Sequence, residues 1–230
     1  MSAAAKRKLL FEPLMALYQP YGFFTKGSYM WRIDCKEKFV ISISAELSRI
    51  GDIMRVNVCF GSFYAGVVEE YDKSPVLEGM ITLAVGITEA CYDDMDAICH
   101  RQTQAYIEQL TSDDMQALFC AATHREFIAQ CEKLTDYKTL YSLSEKRAWD
   151  YLLLEGKAAA LAHLDRLLSI LYAKSATQEN LFVQRCVNLR ELMDTSCESE
   201  LETELQKRIF NAEEICRRYF GERRWKQLLT

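Results

Sequence analysis

Residues 28–34 (SYMWRID), 38–47 (KFVISISAEL) and 53–60 (IMRVNVCF) decide how this chain folds, because their apolar side chains recur at every second position. Tyr29, Trp31 and Ile33 share one side of the first run, and Phe39, Ile41, Ile43, Ala45 and Leu47 one side of the second. In the third the apolar set is Met54, Val56, Val58 and Phe60. A period of two marks strands with one buried face. Opposed residues of an antiparallel pair point to the same side of a sheet, so registers can be checked against each other. A short loop at Cys35-Lys36-Glu37 predicts Trp31 opposite Ile41 and Ile33 opposite Phe39. A connection through residues 48–53 predicts Ala45 opposite Val56, Ile43 opposite Val58, Glu46 opposite Arg55 and Ser44 opposite Asn57. Apolar meets apolar and polar meets polar, which describes an antiparallel meander. The run SFYAGVVEEY (62–71) is a candidate fourth strand.

Working outward, residues 3–19 read as a helix, with Ser2 as its cap and Pro13 as a kink, before the turn Gln19-Pro20-Tyr21-Gly22. From about residue 87 the period becomes helical. Thr111 to Asp114 reads as a capping box. Ala160, Leu161, Leu164, Leu168 and Leu171 form a stripe after Gly156, and Phe182, Cys186, Leu189 and Met193 form another after a start at Ser175 to Gln178. The last long helix carries Leu201, Leu205, Ile209, Ala212, Cys216 and Tyr219 on one side. Glu204 with Arg208, Glu213 with Arg217 and Glu214 with Arg218 are spaced as (i, i+4) pairs on the other, and Gly221 can end it. No repeat period recurs. The expected architecture is α+β: an N-terminal helix on an antiparallel β-meander over residues 1–86, then an irregular helical bundle over 87–230.

Composition narrows the classes. The chain has 230 residues, half of them hydrophobic and 27% charged, as globular proteins do. A net charge of −5 gives no global reason to approach nucleic acid or anionic lipid. Glu12 and Pro13 interrupt the apolar run after the basic start, and no run approaches the ~18 uncharged apolar residues of a membrane span. The expectation is a cytoplasmic protein with no membrane association. Nine cysteines without a CxxC pair argue for reduced thiols used as small hydrophobes, not for structural zinc.

The candidate sites are few. In residues 89–100 (EACYDDMDAICH), Glu89, Asp93, Asp96 and His100 share one side of a helix, nearly opposite Cys91, Met95 and Ile98. A solvated face produces that spacing as readily as a cation site does. Cys120, His124 and Cys131 lie one and then about two turns apart, but three ligands on one helix leave a zinc tetrahedron incomplete, so no metal is assigned. His163 lies in the helix of the leucine stripe and reads as a structural or surface histidine. The tail RRYFGERRWKQLL interleaves Arg217, Arg218, Arg223, Arg224 and Lys226 with Tyr219, Phe220 and Trp225, a pattern that binds single strands by charge and stacking and that equally completes a helix terminus. Phosphate-loop, dinucleotide, zinc-protease and nucleophile-elbow motifs are missing, and no cofactor is expected. The remaining candidate is the polar sheet face, from which Arg32, Ser42, Ser44, Glu46, Arg55 and Asn57 would project. Arg32, Ser44, Glu46, Arg55 and Asn57 are its ligand-binding residues if helices roof that face.

Gly22-Phe23, Lys26-Gly27, Trp31-Arg32, Glu46-Leu47-Ser48 and Val56-Asn57-Val58, placed after a helix, resemble the bacterial domain of unknown function numbered 4304. That family carries Gln where this chain has Glu46. The resemblance covers residues 7–70 and implies an α+β N-terminal domain, with no activity attached. The leading expectation is a non-catalytic binding protein with a protein partner, of accessory or immunity type. The alternatives are an enzyme or small-ligand binder with a polar cleft, and a nucleic-acid binder acting through the tail.

Overall fold

The computed structural model describes residues 2–47, 54–65, 67–69, 75–77, 79–83, 95–135, 145–173 and 180–229. The fold is α+β. The chain divides into two compact units, residues 1–60 with 79–134, and residues 61–78 with 135–230. This division differs from a break at residue 86: the helices over 95–134 belong with the sheet.

In the first unit, α1 (Ala3–Tyr18) begins where the Ser2 hydroxyl accepts from the Ala5 N–H, satisfying one orphan donor of the first turn. Leu10, Leu14 and Tyr18 recur at helical spacing and are fully buried. A five-stranded antiparallel sheet follows, in the order β1 (Phe24–Lys26), β2 (Tyr29–Asp34), β3 (Phe39–Leu47), β4 (Met54–Ser62) and β7 (Gly79–Leu83). The strand that completes it is residues 79–83. The run expected to do so contributes β5 (Val68–Glu69), which among the described strands pairs with β6 (Pro75–Val76) in a separate ribbon of the second unit. Gly79 stands opposite Phe60, and a Cβ there would fall inside the Phe60 ring, so the ring lies over β7 only because this residue is glycine.

The β2–β3 register is one residue away from the expected one. Trp31 stands opposite Ser42 and Arg32 opposite Ile41. The connection is a four-residue loop, Cys35 to Lys38, closed by Asp34 Oδ1 accepting from the Glu37 N–H at 2.8 Å, with Lys38 at φ 59°. A slip of one residue exchanges every side chain between faces. Met30 and Arg32 therefore share a side with Ile41 and Ile43, while Tyr29, Trp31 and Ile33 share the other with Ser44, Ser42 and Val40. Phe39 to Ala45 are buried without interruption, so β3 has no wet side over that length.

Among the described residues three helices follow the sheet in this unit: α2 (Met95–Leu110), α3 (Asp113–Phe119) and α4 (His124–Thr135). Arg32 fixes how they meet the sheet. Its guanidinium donates to the carbonyls of Phe119 and Ala121, both at 2.6 Å, at the end of α3 where helix carbonyls lack intrahelical partners. It also meets Asp34 at 3.3 Å and lies 4.8 Å from the Phe39 ring centroid. Burial pushes the guanidinium pKa down, and the Asp34 carboxylate opposes that shift. Phe39 stacks on Phe127 of α4 at 4.5 Å, and Tyr18 meets Phe119 edge-on. Buried hydroxyls finish the frame: Tyr18 donates to the Leu110 carbonyl and Tyr106 to that of Met54. The capping box expected at Thr111 does not form. Ser112 occupies the cap position without a side-chain bond to the helix it precedes, and the Thr111 hydroxyl turns back to the Ile107 carbonyl.

In the second unit, α5 (Ala148–Glu155) and α6 (Lys157–Ala173) are separated by Gly156 at φ 90°, and α7 (Leu181–Thr195), α8 (Glu198–Phe220) and α9 (Glu222–Leu228) follow. Ala148, Trp149, Ala160, Leu164, Met193, Leu201 and Leu205 form one cluster, joined by Tyr64 of the 61–78 segment. Leu167, Leu168, Val183 and Cys186 form a second. The side-chain cap of α7 is Asn180, whose carbonyl oxygen accepts from the Phe182 N–H; the start expected at Ser175 lies outside the described residues. On α8 the Glu204–Arg208 pair forms at 3.4 Å, whereas Arg217 meets Glu214 and Glu222 instead of Glu213. Gly221, at φ 83°, ends α8 as its position suggests.

Two predictions follow from this packing. Arg32→Met removes the donors for two buried carbonyls and should cost about 3 kcal/mol in urea unfolding. The Cys186 thiol is pushed up to about 11, first by burial and then by Glu145, against an ordinary value of 9.0. Its contribution to stability is complete below pH 9. It is lost as the pH rises from about 9 to 11, because the unfolded chain ionises first. The urea midpoint should therefore fall more steeply across that interval in the native chain than in Cys186→Ala.

Candidate functional site

The structure separates the residues expected to share the polar sheet face. Arg32 is on the opposite side, with its guanidinium committed to the α3 terminus. What remains is a ladder across three strands: Asn57 Nδ2 donates to Ser44 Oγ at 3.5 Å, and Asn57 Oδ1 accepts from Thr82 Oγ1 at 2.9 Å. The contact between Ser44 and Asn57 is the neighbour relation that the expected pairing of their strands requires. Both residues are buried, while Glu46 and Arg55 at the end of the ladder are exposed. A serine, an asparagine and a threonine satisfying one another supply hydrogen-bonding specificity to the sheet and contain no group that titrates near neutrality.

The tail divides in the same way. Trp225 and Phe220 are buried and Tyr219 is half-buried, which withdraws two of the three stacking platforms expected among its cations. Arg223 and Lys226 are exposed, and Arg224 donates to Gln227 Oε1 at 3.1 Å. With Phe220, Gly221 and Glu222 the two arginines line an open depression of about 530 Å³. Its acid, Glu222, is paired with Arg217 at 3.2 Å.

The Cys/His spacing near residue 124 also serves the fold. The His124 N–H donates to Glu37 Oε2 at 3.0 Å, and its Nδ1 lies 2.9 Å from the Glu37 carbonyl oxygen, so the β2–β3 loop caps α4. Cys131 is fully buried, and burial raises the pKa of the Cys120 thiol. Among the described residues no group of three His, Cys, Asp or Glu is arranged to hold a metal ion. Residues 89–94 of the acidic stretch lie outside the described residues; beyond them, Cys99 is buried and His100 exposed. His163 is buried against the Tyr151 ring, at a centroid separation of 4.9 Å. Five of the described cysteines are buried. No described helix is long and apolar enough to cross a membrane.

One buried polar pair was not evident in the sequence. Ser62 donates to Asp150 Oδ1 at 2.5 Å while its oxygen accepts from the Ala65 N–H at 2.9 Å, and both side chains are fully buried. Arg208 lies 4.2 Å from the Trp149 ring centroid and donates to the Ala65 carbonyl at 3.4 Å. These contacts tie residues 62–65 to α5 and α8. An isolated serine before an aromatic and an isolated aspartate after Trp149 carry no local signal, since 88 residues separate them.

What the surface does offer is apolar. Leu181 at the start of α7 is 76% exposed, and Phe210 on the outer side of α8 is 64% exposed. Single exposed apolar side chains are common on protein surfaces, and large ones become contact sites where a partner covers them. No family model matches this chain, and neither curated proteins nor solved structures yield a match.

Ser62→Ala leaves a buried carboxylate one donor short and should destabilise by about 1–3 kcal/mol. Glu46→Gln, at an exposed strand end, should change stability by less than about 0.5 kcal/mol. Chemical denaturation of the two variants side by side checks both.

Proposed function

We propose that this chain is a non-catalytic binding protein that acts through a protein partner, of the accessory or immunity type in bacteria. The exposure of Leu181 and Phe210 on the helical unit carries this reading. Covering one such side chain contributes roughly 1.5–3 kcal/mol, enough for a few residues to dominate an interface. The fate of the polar candidates agrees with it. Arg32, His124, Ser62 and Asp150 spend their hydrogen-bonding capacity on the fold, where a catalytic constellation would aim it at open space. The tail supports nucleic-acid binding less well, since two of its three aromatics are buried and its cations adjoin Glu222.

The double variant Leu181→Ser/Phe210→Ser tests the proposal. It should retain the stability of the parent within about 1 kcal/mol, since both positions are exposed. It should also lose a stoichiometric partner that the tagged parent retains when purified from its host. Native mass spectrometry showing a stoichiometric small molecule or metal on the purified parent would overturn the reading.

A further inference from the structure

A groove runs along α1 in the first unit, far in sequence from Leu181 and Phe210. It has a volume of about 570 Å³, within the range of ligand sites, and is lined by successive turns of one flank of the helix and by Thr25 and Gly27. Phe11 and Met15 provide its apolar floor, and Ala4 and Ala16 keep its ends low. Arg7 and Lys8 bring two positive charges to it against the single negative charge of Glu12. The Lys8–Glu12 pair, at 3.3 Å, is solvent-exposed and so holds neither side chain firmly.

The far wall of the groove is a sheet edge. β1 is terminal in the strand order and pairs only with β2 among the described strands. Lys26 and Tyr29 flank a two-residue turn, Gly27-Ser28, with Gly27 at φ 61°. Residues flanking such a turn exchange both of their backbone hydrogen bonds, and the pattern then alternates along the strand. Lys26 and Phe24 therefore spend their N–H and C=O groups on β2. Thr25, between them, turns its N–H and C=O outward, and its side chain is exposed. An outward donor and acceptor beside an apolar floor is the arrangement that receives an added strand.

The geometry points to the α1–β1 groove as a docking site for an extended acidic peptide segment of a partner, which adds to the sheet at Thr25, seats an apolar side chain on Phe11 and Met15, and presents a carboxylate to Arg7 and Lys8. Arg7, Lys8, Phe11 and Met15 line one flank of α1, so the apolar and acidic side chains of an added strand both face the helix, at every second position. This deepens the reading of the chain as a binding protein while resting on residues that the Leu181 and Phe210 variant leaves intact.

The test is a titration of the isotope-labelled full chain with a capped heptapeptide in which valine and aspartate take turns at every second position with serine between them, followed by amide NMR. Saturable shifts should gather at Arg7, Phe11, Met15, Thr25 and Gly27. A peptide with lysine in place of aspartate should bind at least about tenfold more weakly. Thr25→Pro deletes the outward N–H at a position that donates nothing to β2. It should unfold like the parent and lose at least about tenfold in affinity. Met15→Glu reads the same contact by charge and apolar area if the proline variant fails to fold. Absence of saturable shifts, shifts centred elsewhere, or parental affinity in the folded variants would overturn the proposal. Leu181→Ser/Phe210→Ser should titrate like the parent, so failure here and failure of the partner reading are distinguishable.

Discussion

A guanidinium taken out of water must be fully satisfied or the fold loses several kcal/mol, and Arg32 imposes that condition on the sheet-bearing unit. Its two 2.6 Å bonds to Phe119 and Ala121 require the end of α3 to sit over the centre of β2. Its stacking on Phe39, and that of Phe39 on Phe127, carry the requirement on to α4. The loop between β2 and β3 adds a second clamp, because Glu37 both caps α4 and receives the His124 ring nitrogen. One cation thus sets the strand register, the loop length and the placement of two short helices. None of those helices would persist alone in water at seven or twelve residues.

The helical unit depends on a comparable device of smaller reach. Residues 61–78 leave the sheet strand β4, form their own ribbon and return before β7, so they are topologically an excursion from the sheet. The Ser62–Asp150 bond and the Arg208 contact with Ala65 tie that excursion to α5 and α8, and Tyr64 packs on the Trp149 cluster. Apolar packing alone tolerates several arrangements of similar volume. A buried hydroxyl–carboxylate bond does not, because each alternative leaves the carboxylate one donor short.

These commitments explain why polar residues that attract attention in the sequence make poor reagents in the structure. An arginine on an alternating strand, a histidine one turn from a cysteine and a tryptophan among cations are each consumed by packing or capping. The groups left over are of another kind: outward backbone amides at a short edge strand, and apolar side chains on helix exteriors. Both suit recognition of other polypeptide chains, since main-chain pairing and apolar cover are the currencies of such contacts.

Much of this was legible in local pattern. The N-terminal helix with Ser2 at its start, the three alternating strands, the stripe from Ala160 to Leu168 and the end of α8 at Gly221 all follow from periodicity and capping chemistry, which act within a few residues. Buried cysteines followed from their apolar neighbours. The faces of β2 did not follow, because β3 is buried on both sides over Phe39 to Ala45 and its alternation no longer says which side meets the helices. A loop of three residues and one of four were equally plausible locally, and the choice between them fell to carbonyls 87 and 89 residues from Arg32. The assignment of residues 95–134 to the sheet, the Ser62–Asp150 bond and the burial of Trp225 were likewise decided only in three dimensions. Each depends on groups that meet through the fold, and no short-range rule of spacing can register such a meeting.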